Sequence, residues 1–151
     1  MDITELIGPE RVMAALPASD KLQLIRELSR RAARYVSIGS EAILDALQAR
    51  EALGSTGVGQ GIAIPHARVA GLQRFLGLFA QLEHPINFDA IDGQPVDLVF
   101  LLLIPDQARN EHLSALASIS RRLRDPSVAA YLRAAENRAE LYEILTSPAS
   151  S

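Results

Sequence analysis

The residues from Arg50 to Arg68, REALGSTGVGQGIAIPHAR, concentrate the chemistry of this sequence. Glycines at 54, 57, 59 and 61 free the backbone to turn several N–H groups into one concavity, an arrangement that holds the oxygens of a phosphate. The stretch is not a nucleotide-binding P-loop, because no Gly-Lys-Ser/Thr follows and the one lysine of the chain is Lys21. On its own, a glycine-rich run also reads as a flexible connection from helix to strand. His66 changes the balance. It follows Pro65, whose ring fixes its own φ and biases Ile64 toward an extended conformation, so the imidazole is presented at the end of a stiff Ile-Ala-Ile-Pro strand. A neutral imidazole, with an ordinary pKa of about 6.5, is a nucleophile near neutral pH and needs neither metal nor base to expose its lone pair. The other reading of a lone histidine, one structural hydrogen bond in a half-buried place, loses ground beside a phosphate cradle.

Other residues offer less. His84 stands in Glu-His-Pro-Ile and reads as structural. The histidines show no His-x-x-x-His or His-x-His pair and the chain has no cysteine, so no metal site is expected, and neither disulfides, iron–sulfur clusters nor cysteine nucleophiles are available. No cofactor is called for. Asp89, Asp92 and Asp97 fall in a turn-like FDAIDGQPVD passage, where aspartate commonly bonds its own backbone.

These groups must be positioned by one domain. The chain has 151 residues, 48% hydrophobic and 22% charged, enough for a single full core spanning 1–151. The longest apolar run, Leu98 to Pro105, is strand-sized, so no direct membrane insertion is expected. The opening MDITELIGPE is acidic and lacks the basic and apolar regions of a signal peptide, which predicts a cytoplasmic protein. A net charge of −3 and a pI near 5.6 argue against nucleic acid as a partner.

Arg11 to Leu16 reads as a strand. Asp20 then caps a helix with Gln23 as its capping-box partner, and Leu22, Ile25, Leu28, Ala32 and Tyr35 or Val36 recur at helical spacing. A second helix starts at a Ser40 cap, carries Ile43, Leu44 and Leu47, and ends near Leu53 with Gly54 at C′. Phe75–Leu82 and Val96–Ile104 read as strands, the latter apolar throughout as a strand covered on both faces must be. Helices follow over roughly 110–123, from Asp125-Pro126, and from Asn137 with Glu140 three residues on. Beyond the SPASS tail nothing is of low complexity. The order predicts an α/β domain with a mixed sheet between helical layers.

The run GSTGxGxGIAIPHxR, the stretch FDAIDGQPVDLVFLLLIP at 88–105 and the EHLSALASISRRL helix from Glu111 closely resemble the enzyme IIA domains of fructose/mannitol type in the bacterial phosphotransferase system. The length resembles the stand-alone nitrogen-regulatory member, and the resemblance covers nearly the whole chain. It implies a five-stranded mixed β-sheet flanked by helices on both sides. It also implies that the histidine of the Ile-Pro-His motif, here His66, takes a phosphoryl group from a histidine phosphocarrier protein. His112, which opens the helix after the long apolar strand, matches an assisting histidine, and Arg50 matches a site arginine ahead of the glycine-rich loop. Around them, loop amides at Gly57, Gly59 and Gly61 and the hydroxyls of Ser55 and Thr56 are expected to donate to phosphate oxygens, although both hydroxyl residues also suit a turn. Two departures stand out. Ala67 replaces a common glycine, which puts the local backbone in question, and Ser114 stands where some members carry a further histidine. The implied role is mainly that of a regulator, with targets such as potassium-transport or sensor proteins. The alternatives are a sugar-transport enzyme IIA that passes phosphate to a IIB domain, and a non-enzymatic ligand-binding regulatory domain.

Overall fold

The computed structural model describes residues 1–148, so the last three residues of the SPASS tail lie outside it. The elements are α1 (Ile3–Leu6), a 3-10 turn (Pro9–Arg11), β1 (Val12–Leu16), α2 (Lys21–Ala32), α3 (Ser40–Ala52), β2 (Gly57–Gly59), β3 (Ile62–Ala63), β4 (His66–Val69), β5 (Leu76–Ile86), β6 (Val96–Pro105), α4 (Glu111–Arg124), α5 (Pro126–Ala134) and α6 (Arg138–Thr146). Asp20, Asp125 and Asn137 cap α2, α5 and α6 through their carboxylate or amide oxygens. These are local sequence signals, and they place the helix starts where they point.

Six strands form one open mixed sheet in the order β1-β5-β6-β3-β2, with β4 also on β6. β3 and β4 run parallel to β6 in a single register, Ile62 facing Leu98 and His66 facing Leu102. They are therefore one strand interrupted at Pro65, which has no N–H to give but whose carbonyl accepts from Leu102 N. Counted across, the sheet is five strands wide, as the resemblance implies, and helices cover both faces.

From Leu98 onward β6 alternates strictly. Val99, Leu101 and Leu103 join the core under α2 and α3, while Leu98, Phe100, Leu102 and Ile104 join the core under α1, α4, α5 and α6. Burial on both sides explains why every residue from Leu98 to Pro105 is apolar and buried.

Several local expectations are corrected. The buried face of α2 is Leu24, Ile25, Leu28 and Ala32, whereas Leu22 is exposed and Tyr35 lies beyond the helix end, exposed and donating its hydroxyl to Glu10 O. A spacing of three or four fits either set, and only packing against the sheet selects one. The N-cap of α3 is Gly39 rather than Ser40. Asp97 is not a turn residue. It sits in β6 and pairs with Arg133 at 2.9 Å. β5 runs past Leu82 to Ile86, which carries His84 out to the surface beside Glu83.

Candidate functional site

His66 opens β4, directly after the proline interruption. Strand alternation decides its direction: Ala63, Ala67 and Val69 point into the core under α2 and α3, while Ile62 and Ile64 point to the α4 side. His66 and Arg68 therefore share the face that carries α4, whose first turn holds His112. Ala67 sits in ordinary extended backbone with its methyl group buried, so the replacement of glycine costs no strain.

The ring of His66 is half-buried, and its Nδ1 lies 2.7 Å from the carbonyl oxygen of Ile64. A carbonyl only accepts, so Nδ1 carries the proton and Nε2 keeps the lone pair. Burial is the largest influence on the ring and pushes its pKa below the ordinary histidine value. The charge of Arg50 and the proximity of His112 push the same way, against the Ile64 carbonyl and the Glu51 carboxylate. The surroundings of His66 thus favour the neutral form of its ring over the charged one.

Arg50, in the last turn of α3, donates from Nη1 to the carbonyl of Gly54 at 2.9 Å, which ties the guanidinium to the start of the glycine-rich loop. Gly54 occupies C′ of that helix with φ +149°, a conformation glycine adopts without penalty. Arg50 on α3 and His112 on α4 both lie close enough for their charges to act on the His66 ring.

The expected phosphate cradle is mostly occupied by the protein itself. The Thr56 hydroxyl and backbone N–H both donate to the carboxylate of Glu51. The Ser55 hydroxyl donates to Phe88 O at 2.8 Å and accepts from Gly57 N at 3.0 Å. Neither hydroxyl, nor the Gly57 amide, is a free donor. Gly59 and Gly61 are farther still. With Gln60 they form the left-handed turn between β2 and β3, at the start of the interrupted strand, whereas His66 opens its second half. That turn is braced by Arg133, which donates to Gln60 O at 2.8 Å while pairing with Asp97. These glycines shape a hairpin, which is the other reading a glycine-rich run allows.

Two residues escaped the sequence reading. Glu51 has a side chain only 7% exposed, receives Thr56, and pairs with Lys21 Nζ at 3.0 Å. Lys21 also stands over the Phe88 ring, 4.6 Å from its centroid. The one lysine of the chain therefore anchors the loop, and the signal for it was the carboxylate directly after Arg50. Arg68 is the second. Its guanidinium reaches Ala108 O, Arg109 O and Nδ1 of His112, and nothing but its place in the Ile-Pro-His-x-Arg run pointed to it.

Comparison with known proteins decides the family. Residues 5–147 match the family model described as "Phosphoenolpyruvate-dependent sugar phosphotransferase system, EIIA 2". The chain belongs to this enzyme IIA family. Among enzyme IIA relatives, it is 46% identical over 148 residues to a nitrogen regulatory protein of Bradyrhizobium diazoefficiens, covering 98% of this chain and 97% of that one. The crystal structure of nitrogen regulatory protein IIA-Ntr from Neisseria meningitidis superposes with a TM-score of 0.91 at 36% identity, covering 95% of this chain and 99% of that one. Mannitol IIA of Escherichia coli, at 24% identity and a TM-score of 0.77 over 92% of this chain and 98% of that one, shares the fold.

Proposed function

We propose that this enzyme IIA chain carries a phosphoryl group on Nε2 of His66, taken from a histidine phosphocarrier protein, and acts mainly as a regulator of the nitrogen or potassium type. The observation that carries the proposal is the Nδ1–H to Ile64 carbonyl bond, which leaves Nε2 as the ring's only lone pair. In the transfer that lone pair forms a bond to phosphorus, while the bond between phosphorus and the donor's ring nitrogen breaks and its electrons return to the donor. The His66 ring becomes an imidazolium, and its Nδ1–H still faces the Ile64 carbonyl, which stabilises the new positive charge. A loose phosphoryl transition state needs alignment and donors at the equatorial oxygens. Arg50 supplies fixed positive charge, and His112 supplies a ring N–H.

The surroundings support docking of a protein donor. Leu53 is 85% exposed and Leu113 58%. Leu53 closes the helix of Arg50 and Leu113 follows His112. An apolar rim of this kind excludes water from an in-line transfer and releases its partner readily. The regulatory role is supported by the likeness along nearly the full length to chains named nitrogen regulatory proteins.

The test is incubation with phosphoenolpyruvate, enzyme I and the phosphocarrier protein, followed by intact mass. The wild type should gain about 80 daltons and His66→Ala nothing, since a methyl group has no lone pair to offer. A modified His66→Ala protein would overturn the assignment. A chase with a IIB domain separates the readings: discharge would favour sugar transport, retention favours regulation.

A further inference from the structure

We infer that Arg68 is a positioning residue that fixes the tautomer of His112, so that the assisting ring always presents Nε2–H at the site. The inference rests on the phosphohistidine reading of His66 given above. Arg68 lies two residues beyond His66 on β4 and on the same sheet face. Its guanidinium spans three groups on one segment: Nη1 donates to the carbonyl of Ala108, Nη2 donates to Arg109 O at 3.2 Å, and Nη2 meets Nδ1 of His112 at 3.3 Å. Ala108 and Arg109 end the loop that leads into α4, and His112 is the second residue of that helix.

A guanidinium has donors only and does not lose its proton in a protein. The nitrogen that faces it must accept, so Nδ1 of His112 is bare and the single proton of the neutral ring sits on Nε2. Left alone, a neutral imidazole distributes its proton between both nitrogens, and the tautomer without Nε2–H offers a lone pair toward an anionic phosphoryl group, which repels it. Holding the loop carbonyls needs only the first two contacts. The third reaches a side chain that belongs to the site, and this sets Arg68 apart from a surface arginine that merely braces a loop. The strand that carries the nucleophile thereby also sets the orientation of the ring that assists it.

The test is nitrogen-15 NMR of the histidine rings in the unphosphorylated protein, beside the phosphorylation rate. In the wild type His112 should give the pattern of a single Nε2–H tautomer. Arg68→Met should give a tautomer mixture and slow phosphorylation roughly tenfold, less than the hundred- to thousandfold typical of losing a transition-state donor outright. Arg68→Gln keeps a donor for the Ala108 carbonyl but can face His112 with either end of its amide, so it should mix the tautomers with the loop intact. In a His112→Ala background Arg68→Met should cause no further slowing, because its effect passes through that ring. Unchanged His112 signals in both variants would overturn the inference. So would equal slowing of His112→Ala and wild type by Arg68→Met, which would place Arg68 on the phosphoryl group itself. If the wild type takes up no phosphoryl group, the phosphohistidine reading fails in the mass assay alone, and the tautomer measurement still judges Arg68.

Discussion

His66 and Ile64 are joined by a hydrogen bond of 2.7 Å from ring Nδ1–H to backbone carbonyl, across the proline that interrupts the strand. Pro65 makes this contact possible. It cannot donate to β6, so the chain leaves regular pairing for two residues and the ring can turn back on the carbonyl behind it. One bond thus sets the proton, the ring plane and the nitrogen that keeps its lone pair together.

The pH dependence of His66 follows from its surroundings. Burial, Arg50 and His112 lower its pKa below the unfolded value of about 6.5. Below that pH the unfolded chain protonates at this ring before the folded one does, so the contribution of His66 to stability is intact above about 6.5 and is lost as pH falls toward the folded pKa. An NMR titration of the rings should show His66 charging at lower pH than a free histidine, and His66→Ala should flatten the corresponding part of the stability curve. A midpoint above 6.5 would reverse the sign and contradict the burial argument.

Removing the carboxylate under the loop should be costly. Glu51→Ala strips partners from Lys21 and from both donors of Thr56, and breaking a buried pair in this way destabilises by about 3 kcal/mol. Denaturant titration measures it. Phosphorylation should slow as well, since the segment between Arg50 and Thr56 loses its anchor. A loss under about 0.5 kcal/mol would show that the pair is solvated in solution.

Gly77, the second residue of β5, is fixed by close approach rather than by its φ. A Cβ there would stand 2.6 Å from the carbonyl oxygen of Leu6 and 2.9 Å from Cε1 of Phe100. Gly77→Ala should therefore lose about 1–3 kcal/mol, as α1 is forced off the sheet. Gly39 is the control. It meets nothing within 4 Å and stands at the N-cap of α3, so Gly39→Ser should be neutral or gain a few tenths of a kcal/mol.

Phosphorylation should weaken regulatory partners that dock on the apolar rim. It adds nearly two negative charges to a site flanked along the chain by the exposed Leu53 and Leu113, where burial against an apolar partner is costly. A target protein titrated with unmodified, phosphorylated and His66→Asp forms should bind the first best, the second worst and the third between, with His66→Ala close to unmodified. Equal affinities would place the regulatory surface elsewhere on the domain.

The sequence by itself determined what depends on near neighbours along the chain. The caps at Asp20, Asp125 and Asn137, the apolar run from Leu98, and the presentation of His66 after Pro65 all follow from contacts within a few residues, so their physics is complete in a short window. The family motif singled out Arg50 and His112 for the same reason, as an ordered string of residue types. Only the tertiary structure decided which face of α2 is buried, because Leu22 and Leu24 differ in nothing but what packs against them. It also decided that Gly59 and Gly61 close a remote hairpin while Ser55, Thr56 and Gly57 satisfy the loop's own polar groups. A glycine-rich spacing is compatible with a cradle or a turn, and the choice belongs to strand register. The bond from Arg68 to His112 spans 44 residues and depends on β4 lying beside β6, so that one sheet face meets the start of α4. Such pairings have no local signal, since they form only when burial of the apolar strand brings distant elements together.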